Sequence, residues 1–308
     1  MGQIVIWILK GIATIFGYLP RKVQLTLGWC LGSVLCLCRY RHAVVQQNLK
    51  IVFSDRQYPS PQDPKKFLSK TYTHFGNLIL EVLMVLGPLK RFVEKYVDVA
   101  GYENFENAQK LGKGLIFLSS HVGNWEVMAA TGGVLKKMDL MLVTKHLSPE
   151  WLHQAIEQGR LRCQVRATYE PRTLRDVLSH LKKGGTVGFV MDQYVGPPVG
   201  IRVPFFGKNV GTALVVAAIA KRTGAPVLPV ENFRTPDGRW TVAVNPPVAW
   251  KEDPDSHLEL ALNTAQYSSV IEKHILSHPD QWLWVHRRFK GDLSPLRDGE
   301  WSEPRTRK

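Results

Sequence analysis

Acid is missing from the first part of this chain: no Asp or Glu precedes Asp55. Cysteine is scarce, with 4 in 308 residues, too few for a disulfide-stapled scaffold. Cys30, Cys36 and Cys38 lack CxxC spacing and read as apolar filler, while Cys163 stands alone. Such usage fits a reducing, cytoplasm-facing protein. No apolar run reaches the roughly 20 residues of a straight transmembrane helix. Internal repeats and low-complexity tracts are absent, which excludes a solenoid. There is no G-x-S-x-G nucleophile elbow, no phosphate-binding G-x4-G-K-[ST], no G-x-G-x-x-G after a strand, and no HExxH or paired CxxC for zinc. What is present is a large apolar fraction, 44%, which excludes global disorder. There is also a cationic excess of 40 Lys and Arg over 26 Asp and Glu, a net charge of +14. That excess points to an anionic partner: nucleic acid, an anionic membrane, or an acidic protein or phosphorylated substrate.

The placement of the charge is informative. Lys10, Arg21, Lys22, Arg39, Arg41 and Lys50 flank two apolar segments, residues 4–19 and 23–38, with Trp7, Tyr18, Trp29 and Tyr40 in or beside them. A signal peptide fits poorly, because Leu19–Pro20–Arg21 is a bad cleavage site. A buried soluble helix pair is one reading. The preferred one is membrane attachment, as a single span or in the interface, with cations facing anionic headgroups. Residues 54–66, with Pro59, Pro61 and Pro64, read as a linker. Residues 67–86 have helical periodicity and end at Gly87–Pro88.

After Gly101 short apolar runs alternate with helical patterns. Strands are expected at 114–120, 140–144, 165–169, 186–191, 201–206, 227–233 and 240–244. Helices are expected at 124–137, 149–160, 171–183, 210–222 and 257–277. This alternation indicates an α/β fold with a largely parallel sheet, whose sites gather at the carboxyl ends of the strands. The expected organisation is 1–50, membrane-associated helices; 51–100, linker and a helical segment on the core; 101–290, the α/β domain; and 291–308, a polar tail.

The first strand runs into Ser119-Ser-His121-Val-Gly-Asn-Trp-Glu126. On one continuous helix His121 and Glu126 would point about 140° apart. A strand end followed by a turn at Gly123 instead allows His121 to fold back toward Glu126, with Asn124 as helix N-cap. An imidazole base oriented by a carboxylate is then the expected pair. A base without a protein nucleophile suggests that the substrate supplies one, for example a hydroxyl attacking an activated acyl group.

His121 to Glu126 resembles the HxxxxD/E motif of glycerolipid-type acyltransferases, and the form with Gly123-Asn-Trp-Glu126 resembles the lipid A late acyltransferases. Further matches follow in the family's order. They are Arg160-Leu-Arg162, Leu181-Lys-Lys-Gly184, Asp192–Gln193, Val203-Pro-Phe-Phe-Gly207 with Thr212, Gly224-Ala-Pro-Val-Leu-Pro229, and Gln281-Trp-Leu-Trp-Val-His-Arg-Arg-Phe-Lys290. The resemblance runs from Pro20 to Lys290. It implies a mostly parallel mixed sheet flanked by helices, an N-terminal membrane-associated segment, and transfer of a fatty acyl chain from acyl carrier protein to a phosphorylated glycolipid at the inner membrane, with no cofactor and no metal. It makes His121 the base and Glu126 its orienter, and places Arg160 near the acyl carbonyl or acceptor phosphate. Asn124, Arg162, Asp192, Gln193, Phe205, Phe206, Arg287 and Arg288 become candidate substrate-binding residues: Asp192 would position the acceptor or Arg160, the phenylalanines would line an acyl channel, and the arginines would meet phosphate. Family members often carry glycine where this chain has Gln164, so Arg160 and Arg162 both stay candidates. Another lipid acceptor, a thioesterase and a basic membrane-binding protein are the alternatives. Nucleic acid is not expected, because no aromatic–basic interleaving or helix-turn-helix pattern accompanies the charge.

Overall fold

The computed structural model describes residues 2–54, 58 and 60–294. Residues 55–57 and 59 of the expected linker, and 295–308 of the expected tail, lie outside the described residues. In chain order the elements are α1 (Gly2–Tyr18), α2 (Arg21–Leu37), α3 (His42–Val52), α4 (Pro64–Val82), α5 (Leu89–Tyr96), β1 (Val97–Ala100), α6 (Tyr102–Gln109), β2 (Leu115–Ser119), α7 (Trp125–Lys136) and β3 (Leu140–Val143). They continue with α8 (Glu150–Arg162), β4 (Val165–Thr168), α9 (Thr173–Lys182), β5 (Thr186–Val190), β6 (Gly200–Phe205), β7 (Lys208–Ala213), α10 (Val215–Thr223), β8 (Val227–Arg234), β9 (Trp240–Val244) and α11 (Ser256–Ser277).

Seven strands form one mixed sheet in the order β1-β9-β8-β2-β5-β3-β4. All neighbouring pairs are parallel except β8–β9. Helices cover both faces, so the central strands are apolar throughout instead of alternating. In β2 the side chains of Ile116 and Leu118 enter one core with Val187, Phe189 and Val227, while Leu115 and Phe117 enter the other with Leu140, Leu228 and Val242.

The expected helix over 210–222 is corrected by the structure. Phe206 and Gly207, with φ of 49° and 68°, turn the chain back. Residues 208–213 then pair antiparallel with β6, and the helix begins only at Val215. The expected linker also ends early, because Asp63 caps α4 by accepting from the Lys66 amide, with Pro64 in the first turn.

The N-terminal helices lean on the sheet domain. In α2, Gly28 and Gly32 let α4 approach so closely that a Cβ on Gly32 would lie 2.3 Å from the Tyr72 carbonyl oxygen. Fully buried Glu81 of α4 accepts from Arg21 of α2 at 2.6 Å and Arg234 of β8 at 2.7 Å. The outward faces of α1 and α2 stay apolar and bare: Trp7 is 74% exposed and Leu37 82%. No single helix among the described residues is long and apolar enough to cross a membrane. The pair α2 and α3 passes on length and composition together, but with a 93° bend between the two helices.

Candidate active site

The parallel register builds the site. Ser119 of β2 lies opposite Val190 of β5, so continuing both chains by two residues brings His121 beside Asp192 at the carboxyl end of the sheet. Asp192 Oδ1 lies 2.7 Å from His121 Nδ1, and Oδ2 accepts the His121 backbone N–H at 2.9 Å. The Trp282 indole N–H donates to the same Oδ2 at 2.7 Å. Burial would raise the Asp192 carboxyl, but the His121 ring and these donors outweigh it and lower it to about 2. An ionised carboxylate on Nδ1 fixes the proton there and leaves Nε2 as the basic nitrogen. The Gln193 side-chain nitrogen lies 3.3 Å from that Nε2. The His121 side chain keeps 16% of its surface open.

The turn after His121 depends on Gly123, whose φ is 73° and whose absent Cβ would fall 2.1 Å from the Asn232 carbonyl oxygen. Asn124 then caps α7, its side-chain oxygen accepting from the Glu126 and Val127 amides at 3.0 and 3.2 Å. Asn124 is fully buried, so the structure makes it a cap and not a substrate contact.

Glu126 does not orient His121, which corrects the expected pairing. The helix start turns it to Arg160, whose Nε and Nη2 donate to its two oxygens at 3.1 and 2.6 Å. Burial would weaken the Arg160 charge, yet Glu126 outweighs it and raises the guanidinium's affinity for its proton. Glu157, bonded in turn by the Tyr169 hydroxyl, lies 3.4 Å from Arg160 Nη1. Arg162 is exposed and donates to the Val85 carbonyl at 3.1 Å, so of the two it is Arg160 that is bonded to Glu126. Gln164 has φ of 59°, the left-handed region that glycine favours.

Three further expectations are corrected. Phe205 and Phe206, 1% and 0% exposed, are core residues packed against Trp282. Arg288, 1% exposed, donates to the Gln193 and Gly211 carbonyls and the Thr212 hydroxyl, so it is buried in the core instead of standing at the surface to meet phosphate. Its burial lowers the guanidinium to about 10. Arg287 is exposed and has no partner among the described residues. Asp192 holds His121 and makes no bond to Arg160. Trp282 lies in the family-matched stretch from Gln281 to Lys290, but the sequence does not single it out as a site residue, because the adjacency that brings it to His121 and Asp192 is tertiary. Among the described residues no group of three or more His, Cys, Asp or Glu is placed to hold a metal ion.

Between α7 and the sheet lies a narrow apolar cavity of about 40 Å³. Ser119 and Val190, two residues before His121 and Asp192, line one end, and Lys136, Met138 and Leu140 lie toward the other. From Met128 to Lys136 the helix runs about 12 Å. Gly132 and Gly188 face this space without side chains.

The chain matches the family described as bacterial lipid A biosynthesis acyltransferase over residues 1–291. It is 27% identical over 290 residues to a lipid A biosynthesis lauroyltransferase of Escherichia coli K12, covering 92% of this chain and 90% of the relative. It is 25% identical over 287 residues, with the same coverage, to a lipid A biosynthesis palmitoleoyltransferase of that organism. It is 24% identical over 262 residues to a phosphatidylinositol mannoside acyltransferase of Mycobacterium tuberculosis H37Rv, covering 83% of this chain and 81% of that one.

Proposed function

The chain belongs to the bacterial lipid A biosynthesis acyltransferase family, and from that premise we propose that it transfers a fatty acyl chain from a thioester on acyl carrier protein to a hydroxyl of a phosphorylated lipid A precursor. The observation that carries the chemistry is the His121–Asp192 pair, set at the carboxyl end of the sheet beside an apolar cavity. The acceptor oxygen attacks the thioester carbonyl while His121 Nε2 takes its proton. Asp192 holds the Nδ1 proton and stabilises the imidazolium. The tetrahedral intermediate expels the carrier thiolate, which leaves with the proton from Nε2. Gln193 marks where the hydroxyl sits, and backbone N–H groups near His121 stabilise the developing oxyanion, with Arg160, held by Glu126, the further donor to test. The net charge of +14 suits both an acidic carrier and a phosphorylated acceptor.

The acyl chain enters along the apolar cavity under α7, which widens from about 40 Å³ to take it. A Cβ on Gly132 would sit 3.1 Å from Leu140 Cδ2, so a larger side chain there fills the cavity. The test supplies purified protein with carrier thioesters from octanoyl to palmitoyl and a lipid A precursor, and follows both by mass spectrometry. Transfer to the precursor is expected. Gly132→Leu should shift the preference to shorter donors, with a loss of about 0.8 kcal/mol, roughly fourfold, per displaced methylene. Fatty acid released equally fast with and without precursor would replace transfer by hydrolysis. An unchanged donor profile in an active Gly132→Leu protein would remove the chain from this cavity.

The bare apolar faces of α1 and α2, edged by Lys10, Lys22, Arg39 and Arg41, lie in the interface of an anionic bilayer on its cytoplasmic side. Trp7→Glu with Leu37→Glu should lower binding to phosphatidylglycerol vesicles about tenfold or more, and added salt should weaken it further. Undiminished vesicle binding by this variant would remove the interfacial placement.

A further inference from the structure

We propose that Trp282 is a positioning residue of the transfer site: together with the His121 backbone N–H it pins one oxygen of Asp192 so that the other faces the imidazole. This rests on the acyl-transfer reading and adds a residue to it. A carboxylate bonded to a ring through one oxygen can rotate about its Cβ–Cγ bond. Here Oδ2 is held by two donors, at 2.9 Å from His121 N and 2.7 Å from Trp282 Nε1, and Oδ1 is left 2.7 Å from Nδ1.

The strap that carries Trp282 is fastened to the His121 turn on both sides. Gly123 N–H donates to the Gln281 carbonyl at 3.0 Å, and Leu283 N–H donates to the His121 carbonyl at 3.1 Å. These form an antiparallel bridge between Val122 and Trp282. The indole itself is 3% exposed and wedged against Trp284, ring centres 4.8 Å apart at 74°, and against Phe205 and Phe206. Asp192 is the acceptor that fixed indole reaches. A buried indole N–H usually finds an acceptor, so a purely structural tryptophan is the rival reading.

Trp284 separates the two. It lies in the same strap, is equally buried, and its indole N–H donates to the Pro279 carbonyl at 2.6 Å, touching neither His121 nor Asp192. Full-length Trp282→Phe and Trp284→Phe proteins are compared for kcat, KM, the pH profile of kcat/KM and melting temperature. His286 and Arg288, the other titratable groups facing the pair, are unaltered in both. Loss of a hydrogen bond to a charged group predicts a kcat lower by about tenfold to a hundredfold in Trp282→Phe, with KM little changed. The less solvated carboxylate then holds the imidazolium more strongly, so the acid limb moves to higher pH. Trp284→Phe should lose a similar amount of thermal stability without moving that limb. The low-field Nδ1–H proton resonance of His121, read by NMR without turnover, should shift in Trp282→Phe alone. Equal kcat losses with an unmoved limb and an unmoved resonance would overturn the positioning role. A wild type that turns over no thioester would sink the transfer reading, while the resonance would still decide on Trp282.

Discussion

Asp192→Asn should lower kcat by about three to four orders of magnitude at neutral pH and leave KM nearly unchanged, the scale set by amide substitution in serine-protease triads. The amide oxygen would take the place of Oδ2 and keep the bonds from His121 N and Trp282 Nε1. The amide NH2 would then face Nδ1, which must become an acceptor. The imidazole proton moves to Nε2, the atom that has to receive the acceptor's proton. Substrate binding is not touched, so the loss falls on kcat. His121→Ala should cost about as much, and the double variant little more, because the two residues act as one unit. Asp192 stays ionised far below neutrality, so an acid limb above about pH 4 reports another group. An Asp192→Asn protein retaining more than a tenth of wild-type kcat would remove the carboxylate from the mechanism.

How much of this was legible depends on which forces are local. β2 and β5 stand out in the sequence because strands buried on both faces must be apolar throughout, and both strand ends were placed near their observed positions. Their adjacency was not legible. His121 and Asp192 each follow a strand by two residues, but only the register of β2 against β5 puts them together. The sequence therefore favoured the nearer acid, Glu126. The hairpin of β6 and β7 read as strand and helix because Val210, Val215 and Val216 suit either period, and the lone Gly207 of its turn, preceded by a left-handed Phe206, does not by itself announce a hairpin. Arg288 misled for a related reason. An arginine in a cationic cluster reads as surface, whereas this one closes the core by satisfying backbone carbonyls of the loop after β5 and of β7.

Glu126→Ala should destabilise the fold by about 3–5 kcal/mol, the cost of leaving a buried charge without its partner. In a chain of this size that is roughly a 5–15 °C fall in melting temperature. The pair joins the first turn of α7 to the last turn of α8, and both side chains are more than nine-tenths buried. If Glu126 is removed, Arg160 retains the longer 3.4 Å contact with Glu157 and the neighbouring Tyr169 hydroxyl. The double variant Glu126→Ala with Arg160→Met carries no orphaned charge and should recover most of the loss, giving a coupling energy of at least about 2 kcal/mol by denaturant unfolding. Additive losses would mean that the two groups are solvated in the fold and that the pair bears little on stability. Activity then separates bolt from catalyst. If the ion pair only holds the two helices, the refolded double variant transfers acyl chains at near the wild-type rate. If the guanidinium also meets the oxyanion, the double variant is stable and about a hundredfold slower in kcat, as when one oxyanion donor is lost.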